Sequence, residues 1–139
     1  MTGWLLDTNV LSELRRKKPH AHVLGFVREQ PLELLYISTV TLAEIRFGIA
    51  LVRDATQRTE LDAWLTHEVR PLFHQRVLEV TEDVLFKWRL LVEDGRRSGH
   101  TYSHLFIAAT ALHHGLTVVS RDTREYVRAG ASVVDPWRS

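Results

Sequence analysis

Three acidic residues stand where the pattern of the chain changes from apolar strand to polar turn. Asp7 directly follows the run Trp4-Leu5-Leu6, Asp122 comes three residues after Val119, and Glu44 opens the helical stretch after a second apolar run. Carboxylates gathered in one place repel one another unless a cation lies between them. Oxygen donors of this kind suit hard ions such as Mg²⁺ or Mn²⁺. The chemistry such a cluster points to is metal-assisted phosphodiester hydrolysis, in which the ion generates hydroxide and stabilises the leaving oxygen. Each residue also has a plain structural reading. Asp7 and Asp122 are both suited to capping a following helix, and Glu44 to closing a capping box with Thr41.

These residues can meet only if the elements carrying them are arranged suitably. The apolar runs are Trp4–Leu6, Leu34–Ile37, Val77–Val80, Thr117–Val119 and Ser132–Val134. They are short and several are rich in β-branched or aromatic residues, as expected of buried parallel strands. Helical stripes lie between them: Leu42, Ile45, Ile49 and Val52; Leu61, Leu65 and Val69; Val84, Leu85, Trp88, Leu91 and Val92; and Leu105, Ala108, Ala109 and Leu112. Thr81 is placed to cap the third of these helices, and Gly115 to end the fourth. The alternation predicts an α/β fold with a mostly parallel sheet of about five strands, in one domain over residues 1–139. Ligands of such sheets bind beyond the carboxyl ends of the strands, where the strand order reverses. Asp7, Glu44 and Asp122 converge if strands one, two and four are neighbours.

Composition sets the outer bounds. Lys plus Arg number 18 against 17 Asp plus Glu, a formal charge of +1, which excludes a strongly basic nucleic-acid coat but allows a local basic rim. Cysteine is absent, so disulfides, thiol nucleophiles and Cys-ligated zinc are excluded. No run resembles a secretory signal or approaches the ~18 apolar residues of a membrane span, so the expectation is a cytoplasmic protein with no membrane partner. The four tryptophans are expected in the core. His113 and His114 point ~100° apart on a helix and are not expected to share an ion. Arg15-Arg16-Lys17-Lys18 reads first as a basic helix end.

The segments Leu5-Leu6-Asp7-Thr8-Asn9-Val10, Ser38 to Gly48 around Glu44, Ile107 to Leu112, and Gly115 to Asp122 resemble, in order and spacing, the signatures of PIN-domain ribonucleases, with most likeness to the VapC/FitB type of toxin. This resemblance implies a three-layer α/β/α domain and a Mg²⁺- or Mn²⁺-dependent endoribonuclease acting on single-stranded RNA. It also implies a homodimer or toxin–antitoxin hetero-oligomer, held inactive by a VapB/FitA-like antitoxin that provides the contact with operator DNA. Asp7, Glu44 and Asp122 match three of the family's four acids, and these three are the expected catalytic groups. At the third acidic position this chain has His104, so the implied metal set is Asp7, Glu44, His104 and Asp122. The acidic charge drops from four to three, and the expected result is weaker metal binding and impaired cleavage. Three explanations stand: an inactivating substitution, a natural variant tuned to Mn²⁺, or a degenerate toxin. Asn9 and Ser120 are expected to supply supporting hydrogen bonds, and Arg121 and Arg97 to contact substrate.

Two rival functions follow from the same residues. A toxin-like chain that binds an antitoxin and joins an operator-bound complex without cutting is one, and His104 is the feature in its favour. A haloacid dehalogenase-type phosphatase is the other; it requires an acid two residues after the first Asp, where this chain has Asn9. Surface covered by a partner is expected on the helices bearing Phe26 and Trp64.

Overall fold

Strand β1, Trp4–Leu6, lies at the centre of the sheet, and its two leucines are completely buried on opposite faces. Successive side chains of a strand point to opposite sides. Leu6 accordingly joins one hydrophobic cluster and Leu5 the other, and their neighbours Val119 and Val118 divide in the same way. A strand buried on both faces needs an unbroken apolar run rather than an alternating one, and this chain has such a run. At roughly 1.5–3 kcal/mol for each fully buried Leu or Val, Leu5, Leu6, Val118 and Val119 anchor the centre of the sheet to both helical layers.

The computed structural model describes residues 2–95 and 102–138. In chain order the remaining elements are α1 Thr8–Leu14, α2 Ala21–Glu29, β2 Leu35–Ser38, α3 Thr39–Ala50 and α4 Ala55–Trp64. A π-helical turn, Leu65–Val69, follows, then α5 Arg70–Leu72, β3 Val77–Leu78, α6 Glu82–Gly95, α7 Tyr102–His114, β4 Thr117–Val119, α8 Thr123–Arg128 and β5 Val133–Val134. The five strands are all parallel, in the order β3-β2-β1-β4-β5. Helices α1, α2 and α3 and the π-helical turn cover one face, and α6, α7 and α8 the other. The result is the expected three-layer α/β/α arrangement.

Several local expectations need correction. Helix α3 is capped by Ser38, whose Oγ accepts from the Val40 N–H at 3.0 Å, so Thr41 and Glu44 lie inside the helix and form no capping box. The serine that ends β2 is one turn earlier and its hydroxyl reaches the free N–H groups first. Val52 falls beyond the end of α3, and Leu34 belongs to a 3₁₀ turn before β2. Glu79, Val80 and Ser132 lie outside the strands. Leu85 is exposed, because the buried stripe of α6 runs through Val84 and Leu91. Phe26 and Trp64 are partly buried against the core, each leaving part of its ring on the surface of its helix. The exposed large apolar side chains include Phe47 and Leu51 around the end of α3, and Phe86 and Leu90 on α6. Thr81 and Gly115 act as expected: Thr81 accepts from the Val84 N–H, and Gly115 takes a φ of 68° just past α7.

Candidate metal centre

Because β1 lies between β2 and β4, the strand order reverses beside it, and the carboxyl ends of all three open on one edge. Asp7 follows β1, Glu44 rises from α3 after β2, Ser120 and Asp122 follow β4, and His104 lies in the first turn of α7. All but Ser120 line one open cavity of about 450 Å³.

One ligand atom each from Asp7, His104 and Asp122 lies within 4.8 Å of the other two, the three-residue grouping of potential metal ligands found among the described residues. His104 Nε2 is 2.9 Å from Asp122 Oδ2, and the edge of its ring meets Tyr126 with centroids 5.3 Å apart. Glu44 faces the same cavity but stands outside this grouping, and its Oε1 accepts the Thr8 hydroxyl at 2.8 Å.

Asp7 is buried and held from three sides. Its Oδ1 accepts the Thr8 N–H at 2.8 Å, which caps α1. Its Oδ2 accepts the Ser120 hydroxyl at 2.7 Å and the Tyr126 hydroxyl at 3.0 Å. Oδ2 is filled by its two hydroxyl donors, so the lone pair left for an ion is on Oδ1, the oxygen that also caps α1. Burial, then the Asp7 charge, pushes the Tyr126 phenol far above its usual 10, so it remains a donor. Asp122 precedes α8 but makes no side-chain cap there.

Ser120 links the two aspartates. While donating to Asp7, it accepts from the Asp122 N–H at 2.9 Å and from Asn9 Nδ2 at 3.2 Å. Asn9 Nδ2 also reaches Asp122 Oδ2 at 3.3 Å, and its Oδ1 accepts from the Arg121 N–H. Arg121 lies exposed at the cavity mouth with its guanidinium carbon 4.7 Å from the centroid of the Trp137 ring. Arg16, from the basic run, reaches the same cavity while paired with Glu13. Arg97 lies outside the described residues.

Thr8, Tyr126 and Trp137 also belong to this centre, though no motif in the sequence singles them out. Tyr126 was recoverable, since it lies four residues after Asp122 and so one helical turn further on. Thr8 and Trp137 carry no local signal, because their roles depend on which distant elements come near them.

Residues 4–131 match the PIN domain. The chain belongs to the PIN-domain family. It is similar to "VapC ribonuclease Y4jK" of Sinorhizobium fredii, 38% identical over 135 residues that cover 96% of each chain. "Toxin FitB" of Neisseria gonorrhoeae is 36% identical and covers 96% of this chain and 97% of its own. Among solved structures, "Structure of FitAB bound to IR36 DNA fragment" superposes with a TM-score of 0.90 at 33% identity, covering 98% of this chain and 96% of that one. Membership of this PIN family leaves the phosphatase alternative without a basis. No described helix is long and apolar enough to cross a membrane.

Two carboxylates and an imidazole converging from β1, α7 and the turn after β4 form a donor set that a divalent cation accepts, so these residues fit the ion a PIN nuclease uses. The nitrogen is the one donor that Mg²⁺ does not favour.

Proposed function

We propose that this chain is a metal-dependent endoribonuclease toxin of a toxin–antitoxin pair, cutting single-stranded RNA at the cavity beyond β1 and β4, with Mg²⁺-supported cleavage impaired by His104. The observation that carries this reading is the convergence of Asp7, His104 and Asp122 to within 4.8 Å at the sheet's switch point. These three residues would hold the ion, Mg²⁺ or Mn²⁺. When bound, it supplies the Lewis acidity that polarises a phosphodiester and activates water.

The protein's own groups prepare the rest. Ser120 and Tyr126 fix Asp7, and Asn9 fixes the turn bearing Asp122, so the ligands need little rearrangement. Glu44, steadied by Thr8, completes the acidic wall and is placed to orient the attacking water. Arg121 and Arg16 offer their guanidinium groups to backbone phosphates at the mouth.

The partner of such a toxin is a VapB/FitA-like antitoxin, and operator DNA is reached through it. The similar FitAB, solved on a DNA fragment, supports this assignment. Phe47, Leu51, Phe86 and Leu90 provide apolar surface for a homodimer or for the antitoxin. A cytoplasmic site of action follows from an RNA target and a DNA-bound partner. A second reading, an antitoxin-binding chain that does not cut, is favoured by the His104–Asp122 contact, which joins the nitrogen to Oδ2 without an ion between them.

Single-stranded RNA incubated with the purified chain, with His104→Asp and with Asp7→Asn separates the two readings. The expected result is cleavage by His104→Asp with Mg²⁺, slower cleavage by the parent chain, and none by Asp7→Asn or in chelator. Silence from both active-site forms with every divalent metal favours the non-cutting reading.

A further inference from the structure

We infer that His104 shifts this centre from Mg²⁺ toward the divalent transition ions, Mn²⁺ gaining least and Co²⁺ and Zn²⁺ most. The inference rests on the metal centre proposed above and deepens it by naming the class of ion. It starts from the donor atoms that the fold presents.

Asp7 has about four lone-pair sites on its two oxygens, and three are engaged by Thr8, Ser120 and Tyr126. It is therefore left to bind through one oxygen. Among the described residues, Asp122 is bonded by Asn9 and His104, both on Oδ2. Glu44 is occupied by Thr8 and stands outside the grouping. The third converging donor is a nitrogen. The His104 ring, 17% exposed and nearly perpendicular to the Tyr126 ring, turns Nε2 toward Asp122; the N–H it offers that carboxylate moves to Nδ1 when the nitrogen takes an ion instead.

Mg²⁺ prefers an octahedron of oxygens and gives up its water reluctantly, whereas imidazole is a good ligand for the later divalent ions. Two carboxylates still neutralise a dication, so charge does not prevent binding. The nitrogen changes which dication is preferred. A carboxylate at position 104 would give the all-oxygen set that suits Mg²⁺.

The test needs no RNA. Calorimetric titration with Mn²⁺ and with Mg²⁺ on the full chain, His104→Asp and His104→Gln gives a ratio of the two affinities for each. The parent ratio is expected to exceed that of His104→Asp by roughly tenfold or more, and His104→Gln to weaken Mn²⁺ binding by a similar factor. Pulsed electron paramagnetic resonance on the Mn²⁺-loaded chain should show a ¹⁴N coupling that both variants lose. A ratio unchanged by His104→Asp, or no nitrogen coupling in the parent chain, overturns the inference. Should His104→Asp fail to fold, the parent spectrum and His104→Gln decide the matter. Nitrogen coupling without RNA cleavage under any metal would uphold the ion selectivity and defeat the ribonuclease reading. Mg²⁺-supported cleavage without nitrogen coupling would do the reverse.

Discussion

Ser120 shows how much of this site depends on side chains that never touch a ligand. Its hydroxyl has one proton and two lone pairs, and all three are in use: donated to Asp7, accepted from the Asp122 N–H and from Asn9. The group is fully buried, so no water can take the place of a lost partner. Ser120→Ala therefore leaves a buried carboxylate one donor short and removes the acceptor for a backbone N–H. The expected cost is about 1–3 kcal/mol in urea unfolding at neutral pH, with the Asp122 turn loosened and metal affinity reduced. Full stability in the variant would show that Tyr126 and the Thr8 N–H suffice to hold Asp7. Tyr126 is the natural second support, because burial and the nearby carboxylates favour its neutral, donating form.

Among the elements, the joint between α1 and α2 has its own electrostatic device. Glu13, near the end of α1, accepts the His20 backbone N–H at 2.9 Å just before α2, and also pairs with Arg16. The backbone hydrogen bond, with Arg16 assisting, holds its carboxyl below its ordinary 4.5. A carboxyl lowered in the folded state adds stability above its unfolded value, and that stability is lost as pH falls through the folded one. Glu13→Gln keeps the shape and an acceptor but not the charge. The parent chain should be the more stable at pH 7 by chemical denaturation, and the gap should close as pH falls below 4.5. A gap of constant size down to pH 3 would assign the effect to packing.

The elements also show where the sequence was legible. β1 and β4 were plain because burial on both faces demands unbroken apolar runs, whereas β3 and β5 shrink to two residues each and gave blurred ends. The start of α3 was misplaced because Ser38 serves both as the last residue of β2 and as the cap. The stripe through Leu61, Leu65 and Val69 was right, yet the π-helical turn within it left no mark on the spacing.

Taken as a whole, the molecule carries a formal charge of only +1, so it exerts little long-range pull on a polyanion. The positions of its acids could be read from strand ends, but their meeting depended on β1 lying between β2 and β4, which spacing alone does not state. On the ribonuclease reading proposed above, RNA affinity would come from local contacts around an acidic cavity, and among the described residues Arg121, on its Trp137 support, is a cation placed at the mouth to make one. Each phosphate contact to a single strand contributes about 0.7 to the slope of log affinity against log salt. In chelator, where no cutting occurs, Arg121→Gln should lower the magnitude of that slope by about 0.7 for a single-stranded RNA, measured by fluorescence anisotropy. Lys17→Gln should leave it unchanged, since Lys17 is exposed and does not line the cavity. If instead Lys17→Gln lowers the slope and Arg121→Gln does not, the RNA runs along the basic end of α1 and the cavity mouth is not its path.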